Sequence, residues 1–424
     1  MKKILMIISV ISLLIASTPP AHGEQLTLQA DSYILIDSKS GQVLYEHNAD
    51  KKLYPASTTK VLTAVVAIEK GNPEQLMTAS KAAVNDIGKD GMNIGIMPEE
   101  QIKMDDLLKA LLIRSANETG NIIAENICST RQEFMDLMNK RAAELGATST
   151  HFTNPCGAHD KEHYTTARDM AKIAMHAMTL PMFREIVSKR DFVMQPTNKH
   201  AQWPVMSSTN HLLGYRSDYY TTVTGIKTGY TDPAGNCLVS SAVDASGMEL
   251  ISVVMGVAPE AGRNAVFKIS NELLEYGFKN YSIQKLVGSN EVMNIISVNN
   301  SKDDDLLEIV TQNSLESVLP IDAKEHSIFR NIHLNTPLTA PINKGDVVGE
   351  AEFMRNGIVL GKVALVAARS IEKKPEVKKV VEELSESKLL ENSIITAAVI
   401  LAAFFILRTT LRTISRRRRN KRNL

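Results

Sequence analysis

Val61-Leu62-Thr63-Ala64-Val65-Val66-Ala67-Ile68 is apolar on almost every side of a helical turn, and it is reached through Tyr54-Pro55-Ala56-Ser57-Thr58-Thr59-Lys60. A helix of this kind has no face to offer water, so the rest of a domain has to be wrapped around it. Pro55 fits just before or at the first turn, where a missing N–H costs nothing. Gly71-Asn72-Pro73 closes the helix. Ser57 then sits at the N-terminal end of a buried helix, with Lys60 three residues on and on the same side. Free backbone N–H groups and an amine within reach suit a serine nucleophile served by a lysine base.

Ser-x-x-Lys alone is a weak signal. It recurs at Ser282/Lys285, Ser370/Lys373 and Ser385/Lys388, none of which has a proline followed by a long apolar helix. The plain alternative is an N-capping Ser57 and a solvated Lys60.

Both ends of the chain carry membrane signals. Met1-Lys2-Lys3 is a basic head, Ile4 to Ala16 is apolar, and Ala21-His22-Gly23 places small residues where a signal peptidase reads, so residues 1–23 read as a secretory signal. Ser393 to Leu407 is uncharged and mostly aliphatic. At about 1.5 Å per residue it spans only roughly 22 Å, and extending it to Leu411 gives roughly 28 Å with Arg408 snorkelling to the interface. Arg412, Arg416-Arg417-Arg418-Arg419, Lys421 and Arg422 follow, the positive-inside pattern. We expect a short span over residues 392–411, a basic cytoplasmic tail over 412–424 and everything before them outside the cytoplasmic membrane. An amphipathic helix lying in the interface competes with this reading, but the run is apolar on every face.

Setting those ends aside changes the charge. The whole chain is +1, and removing Lys2, Lys3 and the eight basic residues from Arg408 onward leaves −9 for residues 24–407. A mildly acidic ectodomain is not a nucleic-acid binder, and the basic tail beside a span points to lipid headgroups. Cys128, Cys156 and Cys237 are odd in number, which argues against a disulfide framework. No spacing of Cys, His, Asp or Glu resembles a metal site, and no cofactor is expected.

Ser32–Asp37 and Gln42–Glu46 read as a hairpin. After the Ser57 helix, residues 74–104 are mixed and loop-rich. Asp105 to Ile113 reads as a helix with acidic residues in its first turn, Arg114-Ser115-Ala116-Asn117-Glu118 as a break, and a second helix runs through Ile127. Residues 129–200 read mainly helical, with Asn154-Pro155-Cys156-Gly157 as a turn. Strands follow at Thr222–Tyr230, Asn236–Val243 and Glu249–Gly256, joined by short turns and so antiparallel, and a helix from about Arg263 to Tyr276 closes an α+β domain of residues 24–278. Residues 283–370 alternate in short runs and read as a small all-β domain, and residues 373–391 as a charged helical stalk.

Ser57-Thr58-Thr59-Lys60, Ser115-Ala116-Asn117 and Lys227-Thr228-Gly229 occur in that order on a helix, a helix–helix turn and a strand. The set resembles the penicillin-binding serine enzymes. More closely, the chain is similar to the low-molecular-mass D-alanyl-D-alanine carboxypeptidases. It shares Gly41-Gln42-Val43-Leu44-Tyr45-Glu46, Thr165-Thr166-Ala167-Arg168-Asp169-Met170, Gly225-Ile226-Lys227-Thr228-Gly229-Tyr230-Thr231 and, in the β domain, Ala340-Pro341-Ile342-Asn343-Lys344-Gly345-Asp346. Lys39-Ser40-Gly41, Ser208-Thr209-Asn210 and Ser297-Val298-Asn299 mimic single motifs, so the specificity lies in the ordered set. The resemblance implies an antiparallel five-stranded sheet with helices on its faces and a helical subdomain.

It also implies a mechanism. A peptidoglycan stem peptide ending in D-Ala-D-Ala would bind beside the Lys227–Thr231 strand. Ser57 would attack the penultimate carbonyl with Lys60 taking its proton, and the N–H groups of Ser57 and Tyr230 would hold the oxyanion. Ser115 would pass a proton to the leaving D-Ala, and Asn117 would hold a substrate amide or Lys60. Lys227 and Thr228 would engage the terminal carboxylate, and Gly229 would let the backbone come close. β-Lactams would acylate the same serine. Ala116, Thr224 and Ala158 stand where many relatives carry glycine, aspartate and leucine. The other readings are a D,D-endopeptidase cutting crosslinks, a β-lactamase (for which no Glu-x-x-Leu-Asn segment occurs) and a catalytically silent wall-binding module.

Overall fold

The computed structural model describes residues 26–88, 91–214, 222–302, 306–323, 327–375 and 377–420. The expected secretory signal at 1–23 lies outside them. The chain divides into two compact units, one reaching to Gln284 with a return segment Ser317–Lys324, the other formed by Lys285–Glu316 and the residues from Glu325 onward.

The first unit is organised on a five-stranded antiparallel sheet. Its strands are β1 (Ser32–Asp37), β2 (Val43–His47), β3 (Thr222–Thr231), β4 (Gly235–Val243) and β5 (Glu249–Val257), in the order β2-β1-β5-β4-β3. Two strands from the start of the unit and three from its end therefore meet at β1 and β5, where Ile34 faces Val253. Val-Ile-Leu-rich strands without polar alternation signal cover on both faces, and the side chains divide accordingly. Ile34 and Ile36 join one apolar cluster with Val239, Val253 and the central helices, while Tyr33 and Leu35 join another with Leu238 and Val254. The period of two along the strand sends neighbours to opposite layers.

The first layer is built from α1 (Lys60–Lys70), α2 (Met104–Lys109), α3 (Asn117–Ile127), α4 (Arg131–Glu144), α5 (Ala167–Thr179) and α6 (Pro181–Val187); the second is α7 (Ala265–Asn280). α1 is the helix that the apolar run demands: Val61, Leu62, Ala64, Val65 and Ala67 are wholly shielded from water. It stops at Lys70, where Gly71 is extended. Residues 129–200 are less helical than expected. Between α4 and α5 the chain is irregular, because Asn154 Oδ1 accepts the N–H groups of Gly157 at 2.8 Å and Ala158 at 2.9 Å and replaces helical bonding there.

In the second unit a five-stranded antiparallel sheet runs β6-β7-β10-β9-β8, from β6 (Val292–Ser297), β7 (Leu306–Thr311), β8 (Phe329–Leu334), β9 (Val347–Arg355) and β10 (Ile358–Ala367). Asn356 and Gly357 both have positive φ (50° and 79°), which a two-residue hairpin with right-handed twist requires. Leu307, Ile309, Ala351, Phe353 and Leu365 form its shielded interior. The last helix, α8 (Val377–Asn420), contains a stretch Ser385–Arg416 long and apolar enough to cross a membrane.

Candidate active site

The first turn before α1 is under tension. Ala56 has φ +49°, a left-handed conformation that a residue with a Cβ adopts at some cost, and Ala56–Thr59 then form a 3-10 turn leading into Lys60. The turn is fastened on each side of Ser57. Thr58 Oγ1 donates to the Pro55 carbonyl and Thr59 Oγ1 to that of Ala56, both at 2.8 Å. His163 Nε2 lies 2.8 Å from the same Thr59 hydroxyl, while its Nδ1 accepts the Thr153 N–H at 3.1 Å. Since the Thr59 proton is committed to Ala56, His163 is the Nε2–H tautomer. Burial holds its imidazole neutral, with a pKa lowered to about 3.

Two glycines press on this turn. A Cβ on Gly157 would stand 1.9 Å from the Ala56 carbonyl oxygen, and one on Gly229 would stand 2.9 Å from Pro55 O and 3.1 Å from Ser57 N. Strand β3 and the 154–157 loop can approach the Ser57 backbone so closely only as glycine.

Lys60 is fully shielded from water. Its Nζ lies 2.8 Å from Ser57 Oγ, 2.7 Å from Asn117 Oδ1 and 2.6 Å from the Cys156 carbonyl oxygen. Asn117 is oriented by its own Nδ2, which donates to the Ile87 carbonyl at 2.8 Å, so its oxygen faces the amine. A charged ammonium would donate to all three neighbours. A neutral amine has two N–H groups for the two acceptors that can only accept, and its lone pair is left for the one partner with a proton to give, Ser57. Burial favours the neutral form, lowering the Lys60 pKa to about 8.

Ser115 and Asn117 reach this place through an irregular helix end. The helix expected through Ile113 is α-helical only to Lys109; residues Ala110–Arg114 widen into a π turn, and Ser115 turns left-handed at φ +69°. The Ala116 N–H closes back on Ala110 at 3.1 Å, and α3 starts at Asn117. The wider turn puts the Ser115 side chain into the cleft beside Asn117 instead of onto the helix surface.

On the other side β3 brings Lys227, buried, with Nζ donating to the Thr228 carbonyl at 3.0 Å. Burial, reinforced by repulsion from Lys60, holds its pKa well below the ordinary lysine value. Thr228 Oγ1 shares a 2.6 Å hydrogen bond with Thr209 Oγ1. Tyr230 is exposed, its hydroxyl donating to Asp232 Oδ1 at 2.8 Å. All of this opens onto one cleft of about 880 Å³, lined by Ser57, Ser115, Asn117, Thr228, Gly229 and Tyr230, and also by Ile87, Gly88 and Met92. That is room for a short peptide. Among the described residues no cluster of His, Cys, Asp and Glu could hold a metal ion.

The eight residues singled out in the sequence thus lie in or directly behind one cleft. The three other Ser-x-x-Lys pairs lie elsewhere. Several groups at the site carry no functional signal in the sequence: the lining residues Thr209, His159, Asp232 and Arg263, and the Cys156 carbonyl behind them on Lys60. Thr209 was visible only as the middle of Ser208-Thr209-Asn210, a mimic of the second motif. Its place beside Thr228 comes from the fold.

The family described as D-alanyl-D-alanine carboxypeptidase matches residues 18–259, and the penicillin-binding protein 5 C-terminal domain matches residues 281–373. The D-alanyl-D-alanine carboxypeptidase DacF of Bacillus subtilis is 28% identical over 88% of this chain and 95% of its own length. DacA of Haemophilus influenzae is 32% identical over 80% and 83%. Among solved structures, penicillin binding protein 5 from Haemophilus influenzae is similar over 83% of this chain and all of that one, with 28% identity and a TM-score of 0.68.

Proposed function

The chain belongs to the D-alanyl-D-alanine carboxypeptidase family, and from that premise we propose how its own residues carry the reaction. It is a serine peptidase that removes the terminal D-alanine of peptidoglycan stem peptides, and β-lactams are its covalent inhibitors. The observation that carries the mechanism is the Lys60 amine, fixed 2.8 Å from Ser57 Oγ by two acceptors that leave its lone pair nowhere else to point.

The stem peptide lies extended along β3, its C-terminal carboxylate at Lys227 and Thr228. Lys60 takes the proton of Ser57 as Oγ adds to the penultimate D-Ala carbonyl. The oxyanion that forms is held by the backbone N–H groups of Ser57 and Tyr230, with Gly229 allowing the approach. The C–N bond then breaks. The proton reaches the departing amine from Lys60 through Ser115, D-alanine leaves, and an ester to Ser57 remains. Water adds to that ester with Lys60 again as base, and the shortened peptide is released. Asn117 acts throughout by holding Lys60.

We further propose that α8 anchors the enzyme at the outer face of the cytoplasmic membrane. Ile394, Val399, Phe404 and Ile406 are each 61–66% exposed, which water would disfavour and lipid would not. The test of the mechanism is the full chain with diacetyl-Lys-D-Ala-D-Ala and fluorescent penicillin. The unaltered enzyme releases D-alanine and is labelled; Ser57→Ala does neither while its circular dichroism persists. Turnover retained by Ser57→Ala would refute the assignment.

A further inference from the structure

His163 stands on the irregular chain between α4 and α5, outside the set of residues that carry the reaction above. It is 2% exposed, and a polar ring is costly to bury unless both nitrogens find partners. Both do. Nε2–H donates to Thr59 Oγ1 at 2.8 Å, and Nδ1 accepts the Thr153 N–H at 3.1 Å. Phe152 backs the ring, with centroids 5.1 Å apart.

The two ends of this link are the two supports of the Ser57–Lys60 pair. Thr59 precedes Lys60 and passes the bond on to the carbonyl of Ala56, the left-handed residue before Ser57, at 2.8 Å. Thr153 leads into the loop that Asn154 gathers around its side-chain oxygen. Two successive carbonyls of that loop face α1: Pro155 accepts from Thr63 Oγ1 and Cys156 from Lys60 Nζ, each at 2.6 Å. Imidazole carries one donor and one acceptor on a flat ring, with no torsion between them. It therefore fixes the separation of turn and loop, which a flexible side chain would let vary. Filling the core would need only an apolar ring of the same size. Among the described residues, none of the hydrogen bonds of His163 reaches β3, where the substrate carboxylate is proposed to sit.

We propose that His163 is a positioning residue for acylation: a rigid strut between Thr59 and Thr153 that keeps the Cys156 carbonyl on Lys60 and so aims the amine at Ser57. The inference rests on the serine-peptidase reading of Ser57 and Lys60 and deepens it. Loosening the strut leaves both reacting groups present and the carboxylate grip untouched, so it costs rate and not affinity.

The experiment follows labelling of the full chain by fluorescent penicillin and reads the rate and the final stoichiometry separately. His163→Phe keeps the ring and loses both bonds. It is expected to slow labelling about 30- to 100-fold while the stoichiometry stays near one. His163→Gln can keep the donor to Thr59, and His163→Asn the acceptor for Thr153; each is expected to be about three- to tenfold slow. Calorimetric binding of diacetyl-Lys-D-Ala-D-Ala to Ser57→Ala should be unaltered when His163→Gln is added. A smaller labelled fraction reacting at the original rate would show a purely structural histidine and overturn the proposal. Should His163→Phe fail to fold, an original rate in both His163→Gln and His163→Asn would overturn it equally. No labelling of the unaltered enzyme would instead bring down the serine-peptidase reading itself.

Discussion

The amine of Lys60 and the side-chain oxygen of Asn117 stand 2.7 Å apart in a space shielded from water. The oxygen accepts and has no proton to return, so it orients the amine without charging it.

Replacing that oxygen changes the reaction in two distinguishable ways. Asn117→Ala frees Lys60 to turn from Ser57 and is expected to lower the penicillin acylation rate about 100-fold. Asn117→Asp puts a carboxylate against the amine and holds it protonated. Its activity should fall most near neutral pH and recover in part in alkaline buffer, which pH–rate profiles of both variants will show.

The unaltered enzyme should itself have an acid limb. In the proposed mechanism Lys60 can act as base only when neutral, and its pKa is lowered by burial to about 8. Activity therefore rises with pH through about 8 and levels off above it. The limb belongs to Lys60 and Lys227 together, because each amine feels the other's proton. Stability has the same sign. The unfolded Lys60 binds its proton near 10.5 and the folded one near 8, so stability is greatest above the unfolded value and declines as pH falls through the folded one. Urea midpoints taken between pH 7 and pH 10 test this.

Lys227 is the proposed partner of the substrate carboxylate. Burial and the neighbouring Lys60 keep its pKa well below the usual value, and a substrate carboxylate would raise it again. Binding of a D-Ala-D-Ala peptide to Ser57→Ala should take up protons, seen calorimetrically as heats that differ between buffers of different ionisation enthalpy. Lys227→Ala should lose the uptake and should harm free-acid substrates about tenfold more than C-terminally amidated ones. Equal losses on both would exclude the carboxylate role.

Gly229→Ala introduces a methyl group 2.9 Å from Pro55 O and 3.1 Å from Ser57 N. Strand β3 or the Ser57 turn must shift by a few tenths of an ångström. We expect acylation to slow at least tenfold, with stability lowered by about 1–3 kcal/mol. Stopped-flow labelling and a thermal melt separate the two.

The parts legible in the sequence are those specified locally. Pro55 and the apolar run of α1 announce a buried helix, and the β3, β4 and β5 strands show in their composition and in the turns between them. The three motifs could be ordered, but not brought together, by reading along the chain. What escaped depends on distant backbone. The Cys156 carbonyl that fixes Lys60 is a main-chain atom 96 residues away, and every residue has one. The π turn at Ala110–Arg114 keeps the apolar pattern of an ordinary helix while changing where Ser115 points. Thr209 matters only because β3 lays Thr228 against it. The turn at Asn154–Gly157 is legible from its residue types, but the irregular stretch around it is not, since one side chain and not periodicity holds it.

The Ser57 hydroxyl, the proposed nucleophile, is one turn away from side chains that never meet solvent. A molecule whose interior has loosened will also have lost the poise of Ser57, so bound fluorescent penicillin counts intact molecules. In a crude membrane extract, the stoichiometry of that adduct would measure the surviving native fraction at any temperature, with no purification and no separate probe of structure.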